Sequence, residues 1–316
     1  MTPVFLTIDT ELMWRHHAAA LDAHAIYARS IEPAGVGIAY QLGQLAARGL
    51  KATFFVDPMP ARIYGLESFK RLVGTILDAG QEVQLHLHPN WAGASVKDRS
   101  AAASFELIDD DRTAQQALLA EARDWLEQAG APSPIAFRAG SYSANDDTID
   151  ALVALGFAYD SSHNGSEHPW PCAIRLPRDQ IAPVAHRGLI ELPVTLIEDR
   201  AGNLRHFQIC ALSAAEMRAA LGHAQAERHA AVVIVSHGFE LANRAGTRVN
   251  RVHCSRFDSL CALLAERRDT LPTQHFADRP VLALGRQDRP LGPSTLRTRL
   301  RQAEQLWSNW VEERVA

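Results

Sequence analysis

The 316-residue sequence is poor in cysteine and has no paired cysteine motif. No two of its four cysteines form a CxxC pair; they are Cys172, Cys210, Cys254 and Cys261. This spacing disfavours both a zinc site made of thiolates and a disulfide framework. We therefore expect reduced thiols, as is typical of a cytoplasmic protein.

Long apolar runs and a surplus of charge are missing as well. No apolar segment approaches the roughly 20 residues of a membrane-spanning helix, and the first residues do not read as a signal peptide. The formal net charge of -4 gives no electrostatic reason to bind a polyanion. We expect a cytoplasmic protein with no transmembrane segment and no nucleic-acid partner, while the oligomeric state is not readable from the sequence.

The sequence does contain a repeated alternation of strand and helix patterns. Its 47% hydrophobic and 22% charged residues are those of an ordinary globular protein. Apolar strand patterns, separated by amphipathic helical patterns, occur at residues 4–11, 50–57, 81–88, 134–140, 157–162, 189–197 and 230–238. Repeated βα units predict an α/β fold with a parallel sheet, open or closed into a barrel.

The regular alternation fades near residue 270. We predict one main domain over residues 1–270, followed at 271–316 by a linker rich in proline and arginine and a C-terminal amphipathic helix. Apolar residues recur in that helix at helical spacing, and we expect this stripe to pack onto the main domain. Its members are Leu296, Leu300, Ala303, Trp307 and Trp310.

Polar side chains collect where the predicted strands end. In VFLTIDTE the period of two places Asp9 and Glu11 on one face, and in VQLHLHPNW it places His86 and His88 on one face. The carboxyl ends of parallel strands meet at one rim, where functional side chains gather. The residues expected at this rim are Asp9, Glu11, His86, His88, Arg138, Asp160 and His237.

Two imidazoles and a carboxylate make an open three-ligand site of the kind that catalytic zinc uses. An isolated HxH pair is more often a hydrogen-bonded strand end, but the other strand ends favour a metal site. Asp9 and Glu11 on one buried face would also repel each other unless a cation or a proton intervened.

Six motifs in this order resemble the polysaccharide deacetylase family, also called the NodB-homology or carbohydrate esterase family 4 group. They are TIDTE, KATFFV, GQEVQLHLHP, FRAGSYS, YDSS and VSHG, and they run over roughly residues 4 to 260. The resemblance implies a distorted (β/α) barrel of the NodB-homology type, here with a C-terminal helical tail, and a divalent metal, with Zn²⁺ expected first. HLHP and FRAGSY look closest to a branch associated with bacterial surface-polysaccharide biosynthesis.

The resemblance also implies roles for individual residues. Asp9 matches the catalytic base, Arg138 the residue that orients this base, and His237 the catalytic acid. His86 matches the first metal-binding histidine. Tyr142 matches the aromatic residue whose backbone amide helps to hold the oxyanion.

Two departures from the family pattern affect the expected ligands. Thr10 stands where the family has a metal-binding aspartate, and strand alternation points Glu11 back beside Asp9. The family's second histidine would fall at Asn90, a poor zinc ligand, while His88 shares the face of His86. The expected ligand set is Glu11, His86 and His88, with Asn90 as the lesser candidate.

Three further residues are candidates for substrate contact. Trp91 has an aromatic face for sugar stacking, although isolated aromatics more often belong to the core. Asp160 in YDSS and Glu191 in IELPV end strands near the expected site, and the alternatives are a turn cap and a satisfied strand-end carboxylate. The long irregular stretches 89–112 and 161–188 are expected to select the substrate.

The predicted function is a metal-dependent hydrolase that removes an N-acetyl or similar acyl group from a sugar of a bacterial surface polysaccharide or its precursor. One alternative is hydrolysis of another amide, such as a formamido sugar or a cyclic ureide. The other is a non-catalytic sugar-binding barrel that no longer holds a metal. The sequence names neither the sugar nor the acyl group.

Overall fold

Twelve strands are formed in the computed structural model, which describes residues 1–99 and 104–313. In chain order they are β1 (Val4–Thr10), β2 (Thr53–Val56), β3 (Glu82–Leu87), β4 (Ala136–Ala139), β5 (Ala144–Asn145), β6 (Tyr159–Asp160), β7 (Cys172–Ala173), β8 (Val184–His186), β9 (Leu189–Glu191), β10 (Leu196–Arg200), β11 (Asn203–His206) and β12 (Val232–His237). Eight of them form one sheet in the order β12-β1-β2-β3-β4-β6-β9-β8, parallel except for the β8–β9 pair.

Ten α-helices accompany these strands in the described part of the chain. They are α1 (Trp14–Ala18), α2 (Ala23–Ser30), α3 (Ile38–Ala46), α4 (Ala61–Tyr64), α5 (Glu67–Asp78), α6 (Arg112–Gln128), α7 (Asp146–Ala154), α8 (Ala214–Ala226), α9 (Arg251–Glu266) and α10 (Thr295–Trp307). Local sequence signals explain several of the helix starts, because Asn145 and Ser213 both form capping boxes at the N-termini of α7 and α8. A single π-helical turn, Ser308–Glu312, continues α10.

The core has an outer and an inner layer, separated by the sheet. Leu6 and Ile8 pack in the outer layer, which also contains the buried faces of the helices. Phe5 points to the inner layer, where its ring centroid lies 4.9 Å from that of Phe276. The alternation of faces predicted for the first strand is therefore confirmed.

The sheet curls, and residues outside its regular strands close it. The backbone N–H of Thr195 donates to the carbonyl of Val233 at 3.1 Å, and that of Ile209 donates to the carbonyl of Val235 at 3.2 Å. Thr195, Phe207 and Ile209, which lie outside β10 and β11, thus pair with β12 at its free edge. The predicted distorted (β/α) barrel is confirmed, and the distortion lies at this closure.

Two details of the predicted secondary structure are wrong. The strand expected at 189–197 is divided into β9 and β10, because Pro193 has no N–H to donate and β10 leaves to pair antiparallel with β11. The helices α1 and α2 were not expected, since both are short and lie in a connection between β1 and α3.

The tail does not pack as predicted. We expected the apolar stripe of α10 to face the main domain, but Leu296, Leu300 and Trp307 are exposed. The buried side of α10 is polar, because Arg301 pairs with Asp199 and Glu216 and thereby sets the rotation of the helix. Residues 314–316 of the tail lie outside the described residues.

The segment that follows α9 is part of the barrel core. The N–H of Val4 donates to the carbonyl of Pro272, and the N–H of Gln274 donates to the carbonyl of Val4, each at 2.9 Å. Phe276 then closes the inner layer near the start of β1. The boundary proposed at residue 270 remains a prediction about how the chain divides.

Candidate active site

The carboxyl ends of β1, β3 and β12 bring five of the seven residues predicted at the rim to one cavity. In the sheet register Asp9 lies opposite His237, and His86 lies opposite Arg138. The cavity has a volume of about 380 Å³. Its lining residues are Asp9, Glu11, Leu12, Met13, Trp14, His86, His88, Asn90, Trp91, Ala139, Ser141, Tyr142, His206, Gln208 and His237.

Glu11, His86 and His88 form a group that could hold a metal ion. Each offers one ligand atom, and the three atoms lie within 4.8 Å of one another. His86 Nδ1 lies 2.8 Å from the carbonyl oxygen of Arg138, so this nitrogen donates and Nε2 is left to bind a ligand. Two imidazoles, one carboxylate and an open cavity fit a catalytic divalent cation.

The charges of the three residues also suit a cation. Burial raises the pKa of Glu11, but the charge of His88 and its hydrogen bond outweigh burial and lower this pKa to about 2. Burial lowers the pKa of His88, but the Glu11 carboxylate, 2.6 Å away, raises it to about 9. Burial lowers the pKa of His86 to about 4. A cation binding at neutral pH would therefore displace the proton of His88.

Asn90 lies in the same cavity. Its side chain is buried, and its Oδ1 accepts no hydrogen bond from any part of the chain that the structure describes. A buried amide oxygen without a partner is costly, and a bound group would satisfy it. Asn90 therefore stays open as an additional ligand or as a contact to substrate.

Asp9 is held by a buried arginine. Arg138 Nη1 lies 2.9 Å from Asp9 Oδ1 and 2.6 Å from the hydroxyl of Thr7. The guanidinium also donates to the carbonyl and the hydroxyl of Ser161, and its carbon lies 4.6 Å from the centre of the Phe55 ring. These contacts fix the Asp9 carboxylate while its Oδ2 remains on the cavity side, 3.8 Å from His237 Nε2.

His237 has a carboxylate partner that the sequence analysis missed. Glu240 Oε2 lies 3.4 Å from His237 Nδ1, and Gln208 Nε2 donates to the same oxygen at 3.0 Å. Burial lowers the pKa of His237, but the hydrogen bond and the charge of Glu240 outweigh burial and raise it. The only sequence signal for this pair is the spacing of three residues in HGFE, which is too common to be diagnostic.

The FRAGSY segment forms a tight turn beside the metal ligands. A Cβ on Gly140 would lie 2.4 Å from ring atoms of His88, so only glycine lets the two segments approach this closely. Ser141 and Tyr142 then both have left-handed backbone angles, with φ of 55° and 59°. The backbone of Tyr142 is thus held at the cavity wall, and the role predicted for its amide stays a prediction.

The predicted sugar-stacking residue Trp91 lies in an aromatic cluster. It is only 1% exposed, and its ring packs against those of Trp14, His17 and Tyr64. Trp14 is more exposed than Trp91 and also lines the cavity. The ring centroid of the exposed Phe105 lies 6.0 Å from that of Trp14. The open aromatic face therefore belongs to Trp14, which the sequence analysis did not select.

Asp160 and Glu191 lie outside the cavity lining. They pair across β6 and β9, and both are buried. Burial and the proximity of Asp160 raise the pKa of Glu191 well above its usual range, and burial also raises that of Asp160. We infer that the pair shares a proton and supports the Ser161–Ser162 segment; the predicted contact with substrate stays a prediction.

The two long loops contribute unequally to the site. The first, 89–112, supplies Asn90 and Trp91, although its residues 100–103 lie outside the described residues. No described residue of the second, 161–188, lines the cavity. Ser166 instead contacts Nδ1 of the lining residue His206 at 2.9 Å.

Comparison with solved structures finds several similar proteins. A protein named as a polysaccharide deacetylase from Mycobacterium smegmatis has a TM-score of 0.55 at 19% identity, over 91% of this chain and 94% of that chain. A family 4 carbohydrate esterase from Streptomyces lividans has a TM-score of 0.43 at 12% identity, over 93% and 98%. A family 4 pseudoenzyme from Bacillus anthracis has a TM-score of 0.40 at 12% identity, over 94% and 65%.

No protein-family model and no curated protein sequence matches this chain. At 19% identity, the likeness to the mycobacterial protein shows a shared fold. Within residues 1–99 and 104–313, no helix has the length and apolar character needed to cross a bilayer.

Proposed function

We propose that this protein is a metal-dependent hydrolase that removes an N-acetyl or similar acyl group from a sugar. The observation that carries the proposal is the convergence of three pieces in one cavity. They are a possible metal site (Glu11, His86, His88), a carboxylate held by an arginine (Asp9, Arg138) and a histidine with a carboxylate partner (His237, Glu240). The shared fold with the mycobacterial protein supports this function.

A divalent cation, with Zn²⁺ expected, would polarise the acyl carbonyl and lower the pKa of a water molecule. Asp9, oriented by Arg138, accepts a proton from the attacking water. The backbone N–H of Tyr142 donates to the oxyanion of the tetrahedral species. His237 donates a proton to the leaving nitrogen as the carbon–nitrogen bond breaks, which yields acetate and an amino sugar.

We further propose that the sugar belongs to a bacterial surface polysaccharide or to its precursor. What supports this branch is the resemblance of the HLHP and FRAGSY segments to it; in the fold these segments form the ligand strand and the cavity turn. The four cysteines are free, which fits a cytoplasmic reaction on a precursor before export.

The decisive experiment measures bound metal and released acyl group on the same preparations. Protein purified without chelator is analysed for divalent ions and incubated with acetylated nucleotide-sugars and lipid-linked sugars. His237→Ala is expected to abolish turnover with the metal content unchanged, whereas His88→Ala is expected to lose both. A protein that holds no metal yet binds acetylated sugars would contradict the proposal in favour of a sugar-binding barrel.

A further inference from the structure

The C-terminal helix exposes its apolar side. Twelve large hydrophobic side chains are exposed among the described residues, and five of them lie on α10 and the π-helical turn that follows it. With Ala303 these five form what we call the outer stripe: Leu296, Leu300, Ala303, Leu306, Trp307 and Trp310. The exposed fractions of its five large members run from 51% for Leu300 to 71% for Leu306.

Polar anchors on the opposite side of α10 hold the outer stripe in this orientation. Arg301 lies 2.8 Å from Asp199 and 3.1 Å from Glu216, and all three side chains are buried. The Thr298 hydroxyl also donates to the Asp199 carbonyl at 2.9 Å. Turning the apolar side inward would break these contacts, so the stripe faces outward because of the fold.

The spacing along the outer stripe is that of a helix-packing seam. Leu296, Leu300, Ala303, Trp307 and Trp310 follow one another by four, three, four and three residues, the heptad spacing with which two helices pack side by side. The smallest member, Ala303, lies at the middle and permits close approach of another helix. Arg299 is the one charged residue among the exposed residues of the described part of α10 and the turn.

A second copy of the chain suits this surface better than a bilayer does. A single exposed arginine on a chain of net charge -4 gives little attraction to anionic lipid. Tryptophan and arginine are enriched in the cores of protein interfaces, and the carboxylate of Glu304, whose side chain is 44% exposed, already pairs with Arg256 within the chain. The outer stripe exposes on the order of 600 Å², which is the upper end for an apolar patch on a monomer. Together with the residues beside it on α10, this surface approaches the ~800 Å² that each partner buries in a standard interface.

We propose that the outer stripe is a homodimer interface, in which α10 packs antiparallel against α10 of a second copy around a two-fold axis at Ala303. This arrangement places Leu296 of each copy beside Trp310 of the other. The two apolar ends of the stripe are then covered by the same contact. The proposal concerns assembly and does not depend on the proposed hydrolase activity.

The position of Ala303 on the axis permits a charge-complementation test. Sedimentation of the full chain over a series of micromolar concentrations is expected to give twice the 34.7 kDa mass of one chain. Ala303→Glu and Ala303→Lys should each be monomeric, because like charges meet across the axis, and their equimolar mixture should recover a heterodimer. Both substitutions suit an exposed helix position, and circular dichroism verifies the fold.

A matched pair of tryptophan variants distinguishes this interface from nonspecific hydrophobic association. Trp307→Ser with Trp310→Ser is expected to raise the dissociation constant of the dimer about a hundredfold or more, as for interface hot spots. Trp170→Ser, at a tryptophan of similar exposure in another loop, should leave it unchanged. A monomeric wild-type chain, no complementation, or equal effects of both tryptophan changes would overturn the proposal; a monomer that sediments with phosphatidylglycerol vesicles would assign the stripe to lipid.

Discussion

The cavity rim and α10 break the usual distribution of polar and apolar groups in opposite directions. At the rim, charged groups such as Asp9 and Arg138 are buried, and each is held by a partner inside the same chain. On α10, leucine and tryptophan side chains are exposed while Arg301 is buried. A buried charge is already stabilised by its partner within the chain. An exposed apolar stripe, in contrast, is stabilised only when another surface covers it.

The largest loss of stability should follow from breaking the buried ion pair between Arg138 and Asp9 at the rim. Arg138→Met leaves the Asp9 carboxylate buried without its nearest charge, so the free energy of unfolding should fall by about 3–5 kcal/mol. Urea denaturation measures this loss. Arg299→Met, at an exposed arginine on α10, is the control and in dilute monomeric protein should change stability by less than about 0.5 kcal/mol. Equal losses would show that burial does not distinguish the two regions.

The buried arginine of α10 should matter less than Arg138. Arg301→Met removes one partner from Asp199 and one from Glu216, but Asp199 keeps Arg205 and Glu216 keeps its hydrogen bonds with Ser213. We expect the free energy of unfolding to fall by about 1–3 kcal/mol in the same denaturation experiment. Arg301→Lys keeps the charge and should recover part of the loss; no recovery would mean that packing, and not charge, anchors α10.

A third change tests the pairing at the rim through pH. Glu240 raises the pKa of His237, and a general acid must be protonated, so on the alkaline side of the profile kcat should fall as pH rises through this pKa. Glu240→Gln removes the charge, lowers the pKa and should move the fall in kcat to lower pH. Glu67→Gln, at an exposed ion pair with Lys70 on α5, is the control. An unmoved profile would remove Glu240 from the tuning of His237.

The smallest change in stability is expected from a substitution on the outer stripe. In dilute monomeric protein, Leu300→Ser should change the free energy of unfolding by less than about 0.5 kcal/mol, because this side chain is half exposed. Leu126→Ala, at a leucine with no exposed surface, should cost about 2–5 kcal/mol. A large cost at Leu300 in the monomer would show that the stripe already packs within one chain.

Patterns local in sequence were the reliable part of the prediction. The period of two in the first strand placed Phe5 and Asp9 on the inner face, as the structure has them. The βα alternation predicted the sheet, and capping residues such as Ser213 lie at the helix starts. These features depend on backbone geometry that repeats every few residues, so short windows of sequence suffice to read them.

Features that depend on distant contacts were not predictable in the same way. The hydrogen bond of Gln208 to Glu240 and the open face of Trp14 arise where separate segments meet. The Pro193 break redirects β10 toward β11, and the chain around 194–209 then closes the barrel. A pattern of apolar residues does not state which surface will face them.

By itself, then, the sequence determined which side chains share a strand face and which of them end at the rim, because alternation is a property of the extended backbone. Only the tertiary structure decided that Asp160 and Glu191 lie outside the cavity lining and that Trp14 is part of it. It also decided that α10 turns its leucines and tryptophans outward. Burial of these apolar side chains would favour the opposite rotation of α10. The ion pairs of Arg301 with the buried carboxylates of Asp199 and Glu216 outweigh this preference.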